Sequence, residues 1–464
     1  MSGLFGMLGA AARALDAQRF GLDVTGQNIA NVNTTGYARR RPLLSEIPPP
    51  DRTMAGGGVR IDGIAQARDR FADRRLWTEL SGEQREAAVA DMLARVEVAL
   101  GRPGASIDGG LGEFFDAFAR LADEPTSATA RQEVILQGQS LAAAFRDMTA
   151  RLTAAQRDAD LRVAGAVDQI NELAARIASL NTALGNASPT SGEGLHLRDE
   201  VRTAVEELSR LVAVEVIERP DGGFDVAVGS GRALVIGGAA WPLAIEPRSG
   251  TGLADVVAHD GTLITGELGS GQLGGLIHTR DVLIPSYQAA LDELAYSVAT
   301  EVNALHTAGY DAAGAAGQAF FVPPSGVSGA AGALAVNPAL LATGGEALVA
   351  ASGDPAVPAD NATARALAAL RDSRVLSGGT ATMTDAWSRL VYAVGRDAQA
   401  SREAARTRGE IVQQVRTLQD SVSGVSLDEE AANLLRFQRA YEANARYFRA
   451  IDDALTTLMQ MVGV

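Results

Sequence analysis

The sequence predicts a mainly α, elongated, multidomain protein, with terminal helices forming a coiled coil, a body of long helices, and a smaller inserted β domain. Three observations carry this. Both chain ends place apolar residues at alternating steps of four and three, the heptad spacing of a helix seam. Residues 128–184 keep helical periodicity without a proline, far beyond the roughly 11–12 residues of an average helix. From Val214 to Gly238 the pattern turns strand-like, broken by Asp221-Gly222 and Gly229-Ser230-Gly231, which suit tight turns because glycine accepts positive φ.

Composition narrows the function. The 464 residues are enough for roughly two to four domains. Hydrophobic residues make up 47% and aromatics only 5%, which suits small-residue helix packing better than an aromatic-lined pocket. Acidic residues outnumber basic ones 56 to 41, for a formal charge of −15, against the basic surface of a general nucleic-acid binder. With no cysteine, disulfides, thiolate chemistry and cysteine zinc sites are excluded. No apolar run reaches the roughly 18 residues of a membrane helix. Ala12-Arg13-Ala14 resembles a signal-cleavage site, but no basic residue precedes the apolar stretch and glycines interrupt it, so no cleaved signal is expected.

In chain order, the first helix carries Leu4, Leu8, Ala11, Leu15, Gln18, Leu22, Thr25 and Ile29 on one stripe. It ends in the crowded turn IANVNTTGYARRR, Ile29 to Arg41. Asn31 to about Leu80 reads as irregular or extended, because Pro48-Pro49-Pro50 and Gly56-Gly57-Gly58 break helices. GVRIDGIAQA alternates weakly, as a short strand does. Helices follow at Glu79–Leu100, Gly110–Ala122, Ala128 to about Leu184, and Leu195–Val212. Three strands fill 214–238, with weaker strand character to Ile264. A helix from about Gly274 to Leu305 carries the stripe Leu283, Tyr287, Leu291, Leu294, Val298, Val302, Leu305. Residues 309–360 are rich in Gly, Ala and Pro, with short strands at best. Helix resumes near Ala362, and a second long helix runs from Thr384 to about Ser421.

The last segment, SGVSLDEEAANLLRFQRAYEANARYFRAIDDALTTLMQMV, opens with Ser426 and Glu429 spaced as a capping box. Asp428, Glu429 and Glu430 face the positive end of the helix dipole. Its stripe is Leu427, Ala431, Leu434, Gln438, Tyr441, Ala445, Phe448, Ile451, Leu455, Leu458 and Val462. The step from Phe448 to Ile451 is three where four is due, which overwinds a coiled coil locally. Each large apolar side chain left in water forfeits about 1.5–3 kcal/mol. Such ends therefore pair within the chain, as a helical hairpin, or wait for neighbours; periodicity leaves both open. The division expected is a terminal coiled-coil assembly unit (1–31 with 427–464), a helical body (32–212, 270–310 and 361–426), and an inserted β unit (213–269, with or without 311–360).

The ends carry a family resemblance. ANVNTTGY (Ala30 to Tyr37) behind a heptad helix, with LLRFQRAYEANARYF (Leu434 to Phe448), resembles the paired signatures of bacterial flagellar rod, hook and hook-associated axial proteins. SGVSLDEEAANLL and GQLGGLIHTRDVLIPSYQAALDELAYSVATEVNALHTAGYD (Gly271 to Asp311) resemble the hook-associated protein 1 branch, the hook–filament junction proteins; the β region carries no matching motif. The resemblance implies an extracellular structural subunit that forms a ring on the hook and allows filament attachment. It implies partners in further copies of itself, the hook protein, the second junction protein (hook-associated protein 3), and a cytoplasmic export chaperone on the C-terminal helix. It implies export through the flagellar channel without signal cleavage, and terminal helices that order on assembly. The residues assigned to assembly are Leu4, Leu8, Leu15, Leu22, Asn28, Ile29, Asn31, Gly36, Tyr37, Leu427, Leu434, Tyr441, Phe448, Leu455 and Leu458. Asn28 and Asn31 suit a helix end, Gly36 a sharp bend, and Tyr37 an anchor by packing; Arg39, Arg40 and Arg41 would meet acidic surfaces of neighbouring subunits. The alternatives are a rod or hook subunit, or a soluble helical adaptor or enzyme with internally paired ends.

Enzymatic signals are weak. GSGQLG (Gly269 to Gly274) fits G-x-G-x-x-G, with Glu293 some way beyond. A dinucleotide site needs that acid at the end of a second strand, whereas Glu293 falls mid-helix. His196, His259, His278 and His306 are the four histidines, and no two share the i, i+4 spacing of a helical metal pair. No catalytic residue, metal or cofactor is expected.

Overall fold

The computed structural model describes residues 2–34, 36–48, 57–101, 107–376 and 378–462. Pro49, Pro50, Gly56 and Thr35 of the segments discussed above lie outside them. The helices are α1 (Ser2–Ala30), α2 (Arg70–Leu100), α3 (Ile107–Asp123), α4 (Ala128–Asn186), α5 (Gly192–Leu211), α6 (Gly271–His278), α7 (Ile284–Ala308), two one-turn helices α8 (Ala330–Ala333) and α9 (Pro338–Leu341), then α10 (Ala362–Ala369), α11 (Met383–Ser423) and α12 (Leu427–Val462). The strands are β1 (Arg40–Ile47), β2 (Gly58–Gln66), β3 (Val214–Glu218), β4 (Phe224–Val228), β5 (Arg232–Ile236), β6 (Ala239–Ala240), β7 (Ala244–Pro247) and β8 (Ala254–Val257). All pairings are antiparallel: β1 with β2, the four-stranded order β3-β4-β5-β6, and β7 with β8. The fold is mainly α with a smaller β portion.

α4 is 59 residues long, about 89 Å at 1.5 Å per residue. Its two halves serve different cores. Around the first half, Val134, Leu141 and Phe145 pack with α3, α7, α10, the start of α11, and Phe320, Phe321, Leu334 and Val336 from the 311–360 segment. Phe114 is the hub, its ring centroid 5.2–5.5 Å from those of Phe115, Phe118, Phe320 and Phe321, pairings worth about 0.5–1.5 kcal/mol each beyond burial. Around the second half, Ala159, Val163, Ile170 and Ile177 pack with α5, α6 and the inner faces of the sheets, through Phe224, Val226, Val235 and Val256. α2 and α11 run antiparallel, joined by Arg402 to Glu97, Arg408 to Glu79 and Gln419 to Asp73, over a small core of Leu76, Leu80, Val412 and Val415.

Four elements differ from the sequence reading. α2 starts at Arg70, not Glu79, because Asp69 caps it by accepting from Phe71 N (2.8 Å) and Ala72 N (3.2 Å). Residues 40–47 form a strand despite Pro42; the ladder shifts register between Leu43 and Leu44, a bulge that a two-stranded edge tolerates. The helix read from about 274 to 305 is α6 and α7 joined by a π turn at Thr279–Leu283, with Pro285 in the first turn of α7. At the start of α12 the Ser426 hydroxyl accepts from Glu429 N at 3.5 Å, but the Glu429 carboxylate turns away to Arg39. The complete capping box belongs to Thr382 and Asp385 at the start of α11.

His306 is fully buried in the first core. Its Nδ1 meets Gln318 O at 2.5 Å, and its Nε2 accepts from Ala350 N at 2.9 Å, which fixes the neutral Nδ1–H tautomer. Burial pushes its pKa down to about 4, opposed by the Gln318 carbonyl. The unfolded chain thus takes up this proton first: the contribution is whole above about pH 6.5 and is lost as pH falls toward 4. We expect the imidazole NMR signal of His306 to stay in the neutral form at pH 5.5; a midpoint near 6.5 would refute this burial.

Candidate functional site

The two chain ends meet as an antiparallel pair. At the free end of the pair, Ala11, Ile451 and Leu455 are buried, with Leu4, Leu8 and Phe448 packed around them. Leu15, Leu22 and Ile29 are half-buried along the same helix, and so is Leu434 on α12. Near the body, Val24 and Phe20 of α1 pack on Ile64 of β2 and Leu195 of α5, so α1 is held by both α12 and the body. Not all of the predicted α12 stripe faces inward: Leu427, Tyr441 and Leu458 are 53%, 40% and 38% exposed. Their places toward α1 are taken by Glu430, only 1% exposed, and by Phe437, whose ring lies on Gly21. α12 thus has one face spent within the chain and further apolar side chains, Leu427, Leu435, Tyr441, Tyr447 and Leu458, directed outward.

The Asn-rich turn is organised by Asn28, which is 1% exposed. Its Nδ2 donates to Arg40 O (2.8 Å) and to Glu430 Oε2 (3.0 Å); its Oδ1 accepts from Arg40 N and from the Tyr37 hydroxyl, both at 2.9 Å. A primary amide has two donors and an acceptor with two lone pairs, and here all are used. Aspartate would lack the donors. The other Glu430 oxygen accepts from Arg39 Nε and Nη2 at 2.8 Å each, Arg39 also reaches Glu429, and Arg39 N donates to Ser423 O at 2.8 Å. Burial lowers the Arg39 pKa, but Glu430 and Glu429 outweigh it and the net shift is upward. Glu430 is therefore a buried carboxylate paired and hydrogen-bonded on both oxygens, the condition under which burying a charge is tolerated.

A second node fastens the joint to the body. Asp199 of α5 accepts from Arg68 (2.6 Å), Gln66 (3.0 Å) and Arg40 (3.4 Å). Burial raises its pKa; Arg68 first, then Arg40 and Gln66, oppose without cancelling. Arg68 also donates to Gly36 O at 2.6 Å, and the Arg40 guanidinium stands 4.8 Å from the Tyr37 ring centre. Burial raises the Tyr37 pKa against the pull of Arg40. Asn31 plays the lesser part: its Nδ2 donates to Gln27 O and its Oδ1 accepts from Thr34.

One assignment from sequence needs correction. Arg39 and Arg40 are buried and paired inside the chain, so of the three arginines only Arg41 is exposed to meet a neighbour. Asn28 lies in the last turn of α1 and bonds the backbone of Arg40, and its reach to Glu430 makes it a hydrogen-bond hub as well. Glu430 and Phe437 were missed; the available signal was their seven-residue spacing, matched by Gly21 and Asn28 on α1.

The remaining motifs resolve as packing. In GSGQLG, Gly271 has φ +74° against Leu211 O, and just beyond it a side chain on Gly275 would strike Arg85 O, so these glycines permit close helix crossings. Glu293 lies within α7, on a shallow cavity of about 290 Å³ beside Arg389 and Arg396. His196 is exposed near Glu200, the His259 ring lies tilted against Trp241 with centroids 4.5 Å apart, and His278 is half-buried. Among the described residues no group of three or more His, Asp or Glu side chains is placed to hold a metal ion, and no helix is long and apolar enough to cross a membrane.

Known proteins share this architecture. Residues 93–321 match the flagellar hook-associated protein FlgK helical domain, 420–461 the flagellar basal body rod FlgEFG protein C-terminal family, and 8–37 the flagella basal body rod protein family. Flagellar hook-associated protein 1 of Escherichia coli is 26% identical over 97% of this chain and 98% of its own. The protein of the same name from Bacillus subtilis is 26% identical over 100% and 99%. The structure of the flagellar hook junction protein FlgK from Burkholderia pseudomallei superposes with a TM-score of 0.67 at 18% identity, covering 75% of this chain and all of that one.

Gly36 has φ +81°, and a Cβ there would sit 2.8 Å from Thr203 Oγ1. Gly36→Ala is expected to cost about 1–2 kcal/mol from the left-handed backbone alone. Amide exchange at residues 37–41 should accelerate roughly 5–30-fold, with partial recovery in a Thr203→Ala background. Unchanged exchange would mean that the bend does not depend on glycine.

Proposed function

We infer that this chain, which belongs to the flagellar hook-associated protein 1 family, is the structural subunit that joins hook to filament in the bacterial flagellum. The observation that carries the reading is the joint: the segment matched by one family, 8–37, supplies Asn28 and Tyr37, the segment matched by another, 420–461, supplies Glu430, and the two close on each other inside one chain. The 93–321 match, to a hook-associated domain, favours the junction over a rod or hook subunit. The work of such a protein is assembly, with no catalytic step.

In this reading the paired ends, 1–31 with 427–464, are the assembly unit. Their outward side chains, Leu427, Tyr441 and Leu458 with Arg41, face neighbouring copies, the hook protein and the second junction protein. The inward ones, Leu4, Leu8, Leu15, Leu22, Ile29, Leu434, Phe448 and Leu455, hold the pair together. An export chaperone would cover the outward C-terminal face before assembly, and the subunit would reach the flagellum through the export channel with its N-terminus uncleaved. The body and the β unit (213–269) set the outer bulk of the ring.

Electron microscopy of cells lacking the gene tests this, with secreted protein assayed in the medium. Complete hooks without filaments, and filament protein lost to the medium, are expected. Restoring the gene with Tyr441→Asp and Leu458→Asp should yield folded, exported protein that fails to rescue filaments. Absence of hooks would assign the chain to the rod or hook, and normal flagella would refute the reading.

A further inference from the structure

We propose that two matched contacts, Asn28 with Glu430 and Gly21 with Phe437, fix a single axial register between α1 and α12. Both are anchored in the geometry. Asn28 Nδ2 donates to Glu430 Oε2 at 3.0 Å. The Phe437 ring occupies the space a Cβ on Gly21 would need, within 2.5–2.8 Å of that position. Glu430 and Phe437 are one heptad apart on α12, and Gly21 and Asn28 one heptad apart on α1. Both contacts therefore report the same antiparallel register. Ala11 with Ile451 and Leu455 extends it to the far end.

Much of the apolar seam defines register only weakly. Leu8, Leu15 and Leu22 recur every seven residues on α1, and Leu434, Phe448 and Leu455 lie at multiples of seven on α12, so these side chains exchange places under a slide of seven; the step from Phe448 to Ile451 is the one break in that repeat. The two contacts are not interchangeable. Sliding α12 one heptad one way would place Glu430 beside Gly21, a buried carboxylate without a donor, and would press Phe437 onto the Cβ of Ala14. Sliding it the other way would set the Phe437 ring on the Asn28 amide. A polar group in an apolar seam is a known means of specifying register at some cost in stability. Here a steric socket reinforces it. The effect is to hold the outward side chains of α12 at one height relative to α1.

The chain has no cysteine, so paired labels can be placed cleanly. Asp23 and Asp453 are both exposed and lie about 18 residues apart along the pair, roughly 27 Å of axial separation. Spin labels on full-length D23C/D453C, diluted with unlabelled chain and measured in the assembled state, should give one narrow distance distribution by pulsed electron resonance. E430Q, which keeps an acceptor for Asn28, should leave it narrow. E430L/F437A should add a second population displaced by about 10 Å, one heptad of rise. Should that variant unwind by circular dichroism, E430L/F437L keeps every seam position large and apolar, and the same second population is expected there. A single peak at the original distance in a helical E430L/F437L, or a broad distribution in the unmutated background, would overturn the assignment.

Discussion

The hydrogen bond from Asn28 to Glu430 spans 402 residues of chain, and the arrangement of the molecule around the joint depends on it. A carboxylate at 1% exposure is tolerated only with full pairing, and the pairing is available at one place, where α1 ends, the turn reverses and β1 begins. Arg39 and Asn28 come from the N-terminal segment and Glu430 from the C-terminal one. Neither end can occupy its position without the other. From this point the constraint spreads: Arg40, bound by its backbone to Asn28, reaches Asp199 with its side chain, and Asp199 ties the joint to α5 and the long-helix body.

Every cation in the joint is an arginine. All 41 basic residues of the chain are arginines. The guanidinium fork suits a crowded node, since Arg39 meets two carboxylates while Arg40 pairs with Asp199 and covers the Tyr37 ring. A lysine ammonium in these places would supply a point charge without the planar face. Several other ion pairs lie on exposed helix faces, such as Arg406 with Glu410, where each is worth little; Arg280 with Asp160 and Asp281 is a buried exception.

Periodicity made the helices legible. α4 was readable to within two residues because 59 residues of helix leave an uninterrupted stripe, and the turn signals Asp221-Gly222 and Gly229-Ser230-Gly231 placed β3, β4 and β5. β1 was not readable: Pro42 and the bulge at Leu43 erase its alternation, and it exists because β2 and α1 offer it a surface. The joint was half legible. ANVNTTGY marked where the chain must turn, but a motif names residues and not their partners, so Arg39 and Arg40 were assigned to neighbours when carboxylates of the same chain lay closer. Tyr441 and Leu458 fit the heptad as well as Ile451 and Leu455 do; only the register of the pair decides which face inward. Glu430 was noticed only as an acid facing the helix dipole, which ordinarily explains an acidic residue in a first turn by itself, so its partner Asn28 was not sought.

The closure of the two chain ends rests most directly on the coupling between Asn28 and Glu430. A double-mutant cycle of Asn28→Ala and Glu430→Ala, read as the free energy of amide-exchange protection at residues 430–440, measures it. The structure predicts non-additivity of about 1–3 kcal/mol, as for residues sharing one hydrogen-bond network. Additive effects within about 0.5 kcal/mol would mean that the two ends are held by their apolar seam alone, and that the polar joint does not couple them.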